Sequence, residues 1–181
     1  MGEELTVVTA PTGFARSLQT FRDFHLVDAD GKTIITAATQ WLLMDVSSRR
    51  LKPIPPGITA LETDLAPASA HLERPVSKVP RPVQPHLSAT STVAFSQLDF
   101  NNHLTNPVFP ELMLEPMGLD WLTRLLPVSA DIMFHREARY GDELRAVAGV
   151  IDHPLRYDHA LLRNDEVLAT MHTTWEERNK D

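Results

Sequence analysis

The chain has 181 residues, 43% of them apolar, a formal net charge of −7 and no cysteine. That is enough chain and apolar content for one or two small domains with a real core. The acidic balance and the lack of any dense basic run argue against nucleic-acid binding, while the missing cysteines exclude disulfides, thiolate metal sites and a cysteine nucleophile. No apolar stretch approaches the ~20 residues of a membrane span, and the opening MGEELTVVT has no basic segment followed by an apolar one, so the expected location is the cytoplasm.

Residues 3–46 read as β-rich. Eight of the fourteen prolines then fall between Pro53 and Pro85, a density that neither helix nor central strand accepts, so this stretch reads as a linker with one short helix near 58–65. The remainder reads as a strand over 91–96, a polar turn, a helix starting near Asn106, and strands over 131–137, 142–152, 157–163 and 166–176. Asn106 suits the helix cap and Pro107 its first turn; Pro110 is at the edge of tolerance and Pro116 must end it, so the helix is short or kinked. One helix across about five antiparallel strands is an α+β layer pair.

The two β-rich parts resemble each other. Asp30-Gly31-Lys32-Thr33 through Trp41 aligns with Asn164-Asp165-Glu166-Val167 through Trp175 at a constant offset, with Thr36/Thr170, Thr39/Thr173 and Trp41/Trp175 coinciding. Gly2 to Val8 aligns in the same order with Gly141 to Val147. Two unrelated hairpins of alternating β-branched residues around a polar turn give a similar match, which is the alternative. If the repeat is real, the first copy begins where the second is already at Gly141, and counterparts of 89–140 are expected upstream of Met1. A three-stranded first sheet without a helix would then leave a face bearing Phe21, Ile35 and Trp41 uncovered, and self-association or cover by the linker is expected.

The segment Phe95-Ser96-Gln97-Leu98-Asp99-Phe100-Asn101-Asn102-His103-Leu104-Thr105-Asn106 concentrates a carboxylate, carboxamides and an imidazole between a strand and a helix. Taken alone it is a turn with a helix cap as readily as a site. The segment resembles the motif of plant and bacterial acyl-acyl-carrier-protein (acyl-ACP) thioesterases, in which Asp, any residue, Asn, any residue and His precede a hydrophobe and an Asn pair. Asp99, Asn101, His103 and Asn106 match it, with Thr105 in place of the first Asn of the pair. Phe134-His135-Arg136-Glu137 resembles the strand carrying that family's further catalytic acid. Trp41-Leu42-Leu43-Met44-Asp45 with Arg49-Arg50 resembles the end of its first domain, and Lys78-Val79-Pro80 part of its interdomain linker.

The resemblance implies a double hot-dog fold, with a partial N-terminal hot-dog domain over 1–46, a linker over 47–88 and a complete C-terminal one over 89–181. It implies hydrolysis of the thioester of a fatty acyl-acyl carrier protein to free fatty acid, without cofactor or metal. Asp99, Asn101, His103 and Glu137 are the catalytic residues it points to. One carboxylate would activate water or attack directly while the other orients the imidazole, His103 would relay a proton, and the Asn101 amide with a backbone N–H at the helix start would hold the oxyanion. Ala138 stands where plant members often carry Cys, so a thiol mechanism is ruled out. Phe100, Phe109, Leu112, Met113 and Met117 could line an acyl channel, ordinary core being the alternative. Arg49, Arg50, Lys52, Arg74, Lys78 and Arg81 against Glu62, Asp64 and Glu73 make residues 47–88 locally basic, suiting an acidic carrier. A non-catalytic acyl-binding subunit, or a coenzyme A thioesterase or hydratase of the same fold, are the competing functions.

Overall fold

Alternating β-branched and polar residues from Thr6 to Leu42 form, in the computed structural model, an antiparallel meander of β1 (Thr6–Ala15), β2 (Gln19–Val27) and β3 (Thr33–Leu42). The structure describes residues 2–60 and 65–178, and the chain divides into two units, 1–75 and 76–181. Pairing of β1 with β2 slips between Pro11 and Gly13, a bulge at which Gly13 adopts φ 140° and Thr12 turns inward to the buried Asp23 carboxylate. Asp23 also accepts the Leu72 N–H at 2.8 Å, and Arg74 lies 4.1 Å over the Phe21 ring while donating to the Thr12 carbonyl and hydroxyl. Residues 72–74 thus cover the face bearing Phe21.

Register corrects the expectation that Phe21, Ile35 and Trp41 share a face. Phe21 pairs with Gln40, whereas Trp41 pairs with Thr20 and Ile35 with Leu26, so period-2 alternation puts the latter two on the opposite face. There Ile35 is 57% and Trp41 54% exposed. A hollow of about 460 Å³ on this unit is lined by Phe14, Trp41, Ile58 and Leu65 among others. The short helix is α1 (Pro56–Thr59), starting before the expected 58–65 because Pro55 and Pro56 preset its first turn. Leu61 to Asp64, and with them the charges of Glu62 and Asp64, lie outside the described residues.

The second unit is a five-stranded antiparallel sheet in the order β4-β6-β7-β8-β5: β4 (Leu87–Thr92), β5 (Leu125–Phe134), β6 (Glu143–Val150), β7 (Arg156–Arg163) and β8 (Glu166–Glu177). β4 ends four residues before the expected 96, because Phe95–Gln97 is a 3-10 turn whose Gln97 side chain accepts the Ala94 N–H. The crossing from edge strand β4 to edge strand β5 is made by α2 (Val108–Leu114), a 3-10 turn at Glu115–Met117 and α3 (Leu119–Arg124). Pro116 ends the helix as expected, with Gly118 at φ 76° following it, but α3 and the early start of β5 were not anticipated. The N-cap of α2 falls on Pro107 rather than on the expected Asn106, with no side-chain cap bond.

Phe109, Leu112 and Met113 of α2 bury against Leu144, Ala146, Leu161, Ala169 and Met171, forming the main core. On the other face Val147, Ala160 and Leu162 cluster, the Thr170 hydroxyl donates to the Val79 carbonyl, and the Gln84 backbone passes over Gly149. The hairpins of the repeat correspond in detail. Trp41 Nε1 donates to Thr39 Oγ1 and Trp175 Nε1 to Thr173 Oγ1, both at 2.8 Å, and the strand paired with each carries a buried aspartate, Asp23 or Asp158, at the matching position.

Candidate active site

The polar turn is built by Asp99. Its Oδ1 accepts the backbone N–H of Asn101 at 2.8 Å and of His103 at 3.1 Å, its own N–H bonds the His103 carbonyl, and Asn102 takes the left-handed φ of 61° that closes so tight a loop. The His103 N–H foremost, then the Asn101 N–H and amide and the His103 ring, hold the Asp99 carboxyl below its ordinary value against the opposing effect of burial. Asp99 is therefore a carboxylate at neutral pH and a weak base.

Glu137 reaches the same place from the other edge of the sheet. The expected strand 131–137 ends at Phe134, because His135 and Arg136 both donate to the Leu168 carbonyl and the ladder breaks there. The strap 135–142 then crosses the sheet end from β5 to β6. Leu104 N–H bonds the Ala138 carbonyl at 2.8 Å, tying the residue after His103 to the residue after Glu137. This brings His103 Nε2 within 3.2 Å of Glu137 Oε2, both side chains half-buried.

The contact is an ion-pair distance; a proton on Nε2 would suit the carboxylate, which only accepts, and would leave Nδ1 its lone pair. Among the described residues Nδ1 has no hydrogen-bond partner. Asn101 is exposed, and its amide bonds the Asp99 carboxylate. Sequence reasoning did not find Arg163, at the end of β7, which braces the strap. Its Nη1 lies 2.7 Å from Asp142 Oδ2 and 3.4 Å from the Glu137 carbonyl, and Nη2 lies 2.6 Å from Glu166 Oε2. Only the Arg163/Glu166 spacing was visible in the sequence, and three residues apart on a tight turn it reads as a surface ion pair.

The expected channel residues divide. Phe109, Leu112, Met113 and Met117 are core, while Phe100 is 94% exposed at the tip of the Asp99 turn. Of the basic cluster, Lys52 pairs with Asp45, and Arg74 is committed to Phe21 and Thr12. No group of three or more His, Asp or Glu side chains suited to a metal ion occurs among the described residues. Nor is any described helix long and apolar enough to cross a membrane.

A family model for the acyl-ACP thioesterase C-terminal domain matches residues 82–177, and one for the N-terminal domain matches residues 1–61. The chain belongs to the acyl-ACP thioesterase family. It is a thioester hydrolase. Among solved structures, this thioesterase is similar to an acyl-ACP thioesterase from Bacteroides thetaiotaomicron, at 22% identity and TM-score 0.83 over 96% of this chain and 69% of that one. It is also similar to the 12:0-ACP thioesterase from Umbellularia californica, at 16% identity and TM-score 0.81 over 98% and 69%. At these identities the likeness establishes the α+β hot-dog fold. Comparison with curated protein sequences gives no match.

Proposed function

We propose that the chain releases free fatty acid from a fatty acyl-acyl carrier protein, with His103 as general base and Glu137 as its orienting carboxylate. The observation that carries this reading is the 3.2 Å contact between His103 Nε2 and Glu137 Oε2. Glu137 holds the imidazole in the Nε2–H tautomer, so Nδ1 takes a proton from a water that adds to the thioester carbonyl carbon. The tetrahedral intermediate collapses, the carbon–sulfur bond breaks, and the imidazolium returns its proton to the leaving thiolate. Glu137 stabilises the transient imidazolium, as the acid does in serine-hydrolase triads.

Asp99, ionised and engaged by two backbone N–H groups, shapes the turn rather than moving a proton. The Asn101 amide is the oxyanion donor in this scheme. α2 has only seven residues, too short for its N-terminus to carry that role. The reaction lies within residues 89–181, with 47–88 a linker from the domain at 1–46, and the carrier is an acidic protein met by basic side chains of the linker.

Steady-state hydrolysis of matched acyl-carrier and acyl-coenzyme A thioesters tests the reading. His103→Ala is expected to lower kcat by about 10²–10⁴ with little change in KM. Unchanged turnover would return the turn to a structural role, and equal use of both thioesters would remove the carrier from the reading.

A further inference from the structure

We propose that Arg163 is a positioning residue for hydrolysis, holding the Glu137 backbone where its carboxylate meets the His103 ring; this rests on the reading of that pair given above. The order of strands makes such a residue necessary. The strap leaves β5 at one edge and must reach β6 beside the other, so it runs across the ends of β8 and β7 without a ladder to lie in. β7 ends at Arg163, under the strap.

One guanidinium then makes three contacts. Nη1 is shared between Asp142 Oδ2 at 2.7 Å and the Glu137 carbonyl at 3.4 Å, while Nη2 binds Glu166 Oε2 at 2.6 Å. The same Asp142 oxygen accepts the Arg139 N–H at 2.9 Å, and the Asp142 N–H returns to the Arg139 carbonyl at 3.0 Å, so the far end of the strap is closed on Arg163. The bond from Leu104 N–H to the Ala138 carbonyl is the second anchor. Glu137 is thereby pinned on its carbonyl and on the next residue. Two carboxylates offset the charge of Arg163, so it acts on Glu137 through backbone position rather than through its field. The His103–Glu137 ion-pair contact of 3.2 Å is already longer than the ~2.7–2.9 Å of a charge-assisted hydrogen bond, so a small drift of the strap weakens it further.

The test is a kinetic double-mutant cycle on the full chain, using an acyl-acyl carrier protein thioester that the wild type turns over. Arg163→Met is expected to lower kcat about tenfold while KM stays within about twofold, and Arg163→Lys, which keeps the charge but not the planar fork, falls between. In a Glu137→Gln background Arg163→Met is expected to add nothing, because the group it positions is already disabled. A wild-type kcat for Arg163→Met, or the same tenfold loss on top of Glu137→Gln, overturns the proposal. Wild-type turnover of Glu137→Gln itself overturns the underlying reading instead, and with it this one. Thermal melts run alongside; if Arg163→Met does not fold, Arg163→Lys and Asp142→Asn carry the same comparison with Glu137→Gln.

Discussion

Acidification should loosen the second unit through one buried ring. His159 on β7 is fully buried, its Nδ1 3.2 Å from the Met113 carbonyl of α2 and its Nε2 2.8 Å from Thr173 Oγ1, which also accepts Trp175 Nε1–H. A carbonyl only accepts, so Nδ1 carries the proton and Nε2 accepts from the Thr173 hydroxyl, a chain of bonds that ties helix to sheet. Burial pushes the ring down to about 4 from 6.5, with the nearby His172 adding to the shift and the Met113 carbonyl opposing it. At pH 7 the ring is neutral whether the chain is folded or not, and contributes nothing through protonation. As pH falls through 6.5 the unfolded chain takes up a proton that the native ring refuses, and stability drops until about pH 4, where the native ring charges too. The gap corresponds to roughly 3 kcal/mol in all, most of it lost by about pH 4.5. Urea unfolding of wild type and His159→Gln, followed by circular dichroism between pH 7 and 4.5, reads it directly. The depressed carboxylates, Asp99 and Asp142, titrate alike in both proteins and cancel in the difference. Parallel pH slopes for the two proteins would refute the reasoning, meaning that the ring charges in place without penalty.

Leu161→Ala removes a fully buried side chain between α2 and the sheet and is expected to cost about 2–5 kcal/mol, measured by urea unfolding of the second unit. Gly149→Ala places a Cβ 2.8 Å from the Gln84 carbonyl oxygen, so the segment over that sheet face must shift; a cost of about 1–3 kcal/mol and faster proteolysis within residues 79–86 are expected.

The hairpins were legible because two-residue alternation and turn residues are local signals, and the repeat carried them from one copy to the other. Their facing was not, since whether Phe21 looks the same way as Trp41 depends on how β2 pairs with β3, which no local pattern encodes. The break at Pro116 follows from proline's missing donor, whereas α3 beyond it hides in Leu119–Arg124, six residues too short to show helical periodicity. At the site, Asp99 and His103 lie in one turn and are found together. Glu137 came within view by family resemblance alone, for it sits on an irregular strap rather than on the expected strand. Arg163 had no such signal, because its partner Asp142 is distant in sequence and is brought to it by the strand order.

The two tryptophan–threonine bonds also give the chain two natural optical labels. Trp41, on the first unit, is half in water, while Trp175, in the same bond on the second, is 3% exposed and packed edge-on against Trp121. Their surroundings dictate different light: a red-shifted emission that iodide quenches from Trp41, and a blue-shifted one sheltered from iodide from the Trp121–Trp175 pair. Melting of each unit can therefore be watched in a single cuvette, by colour, with no dye attached.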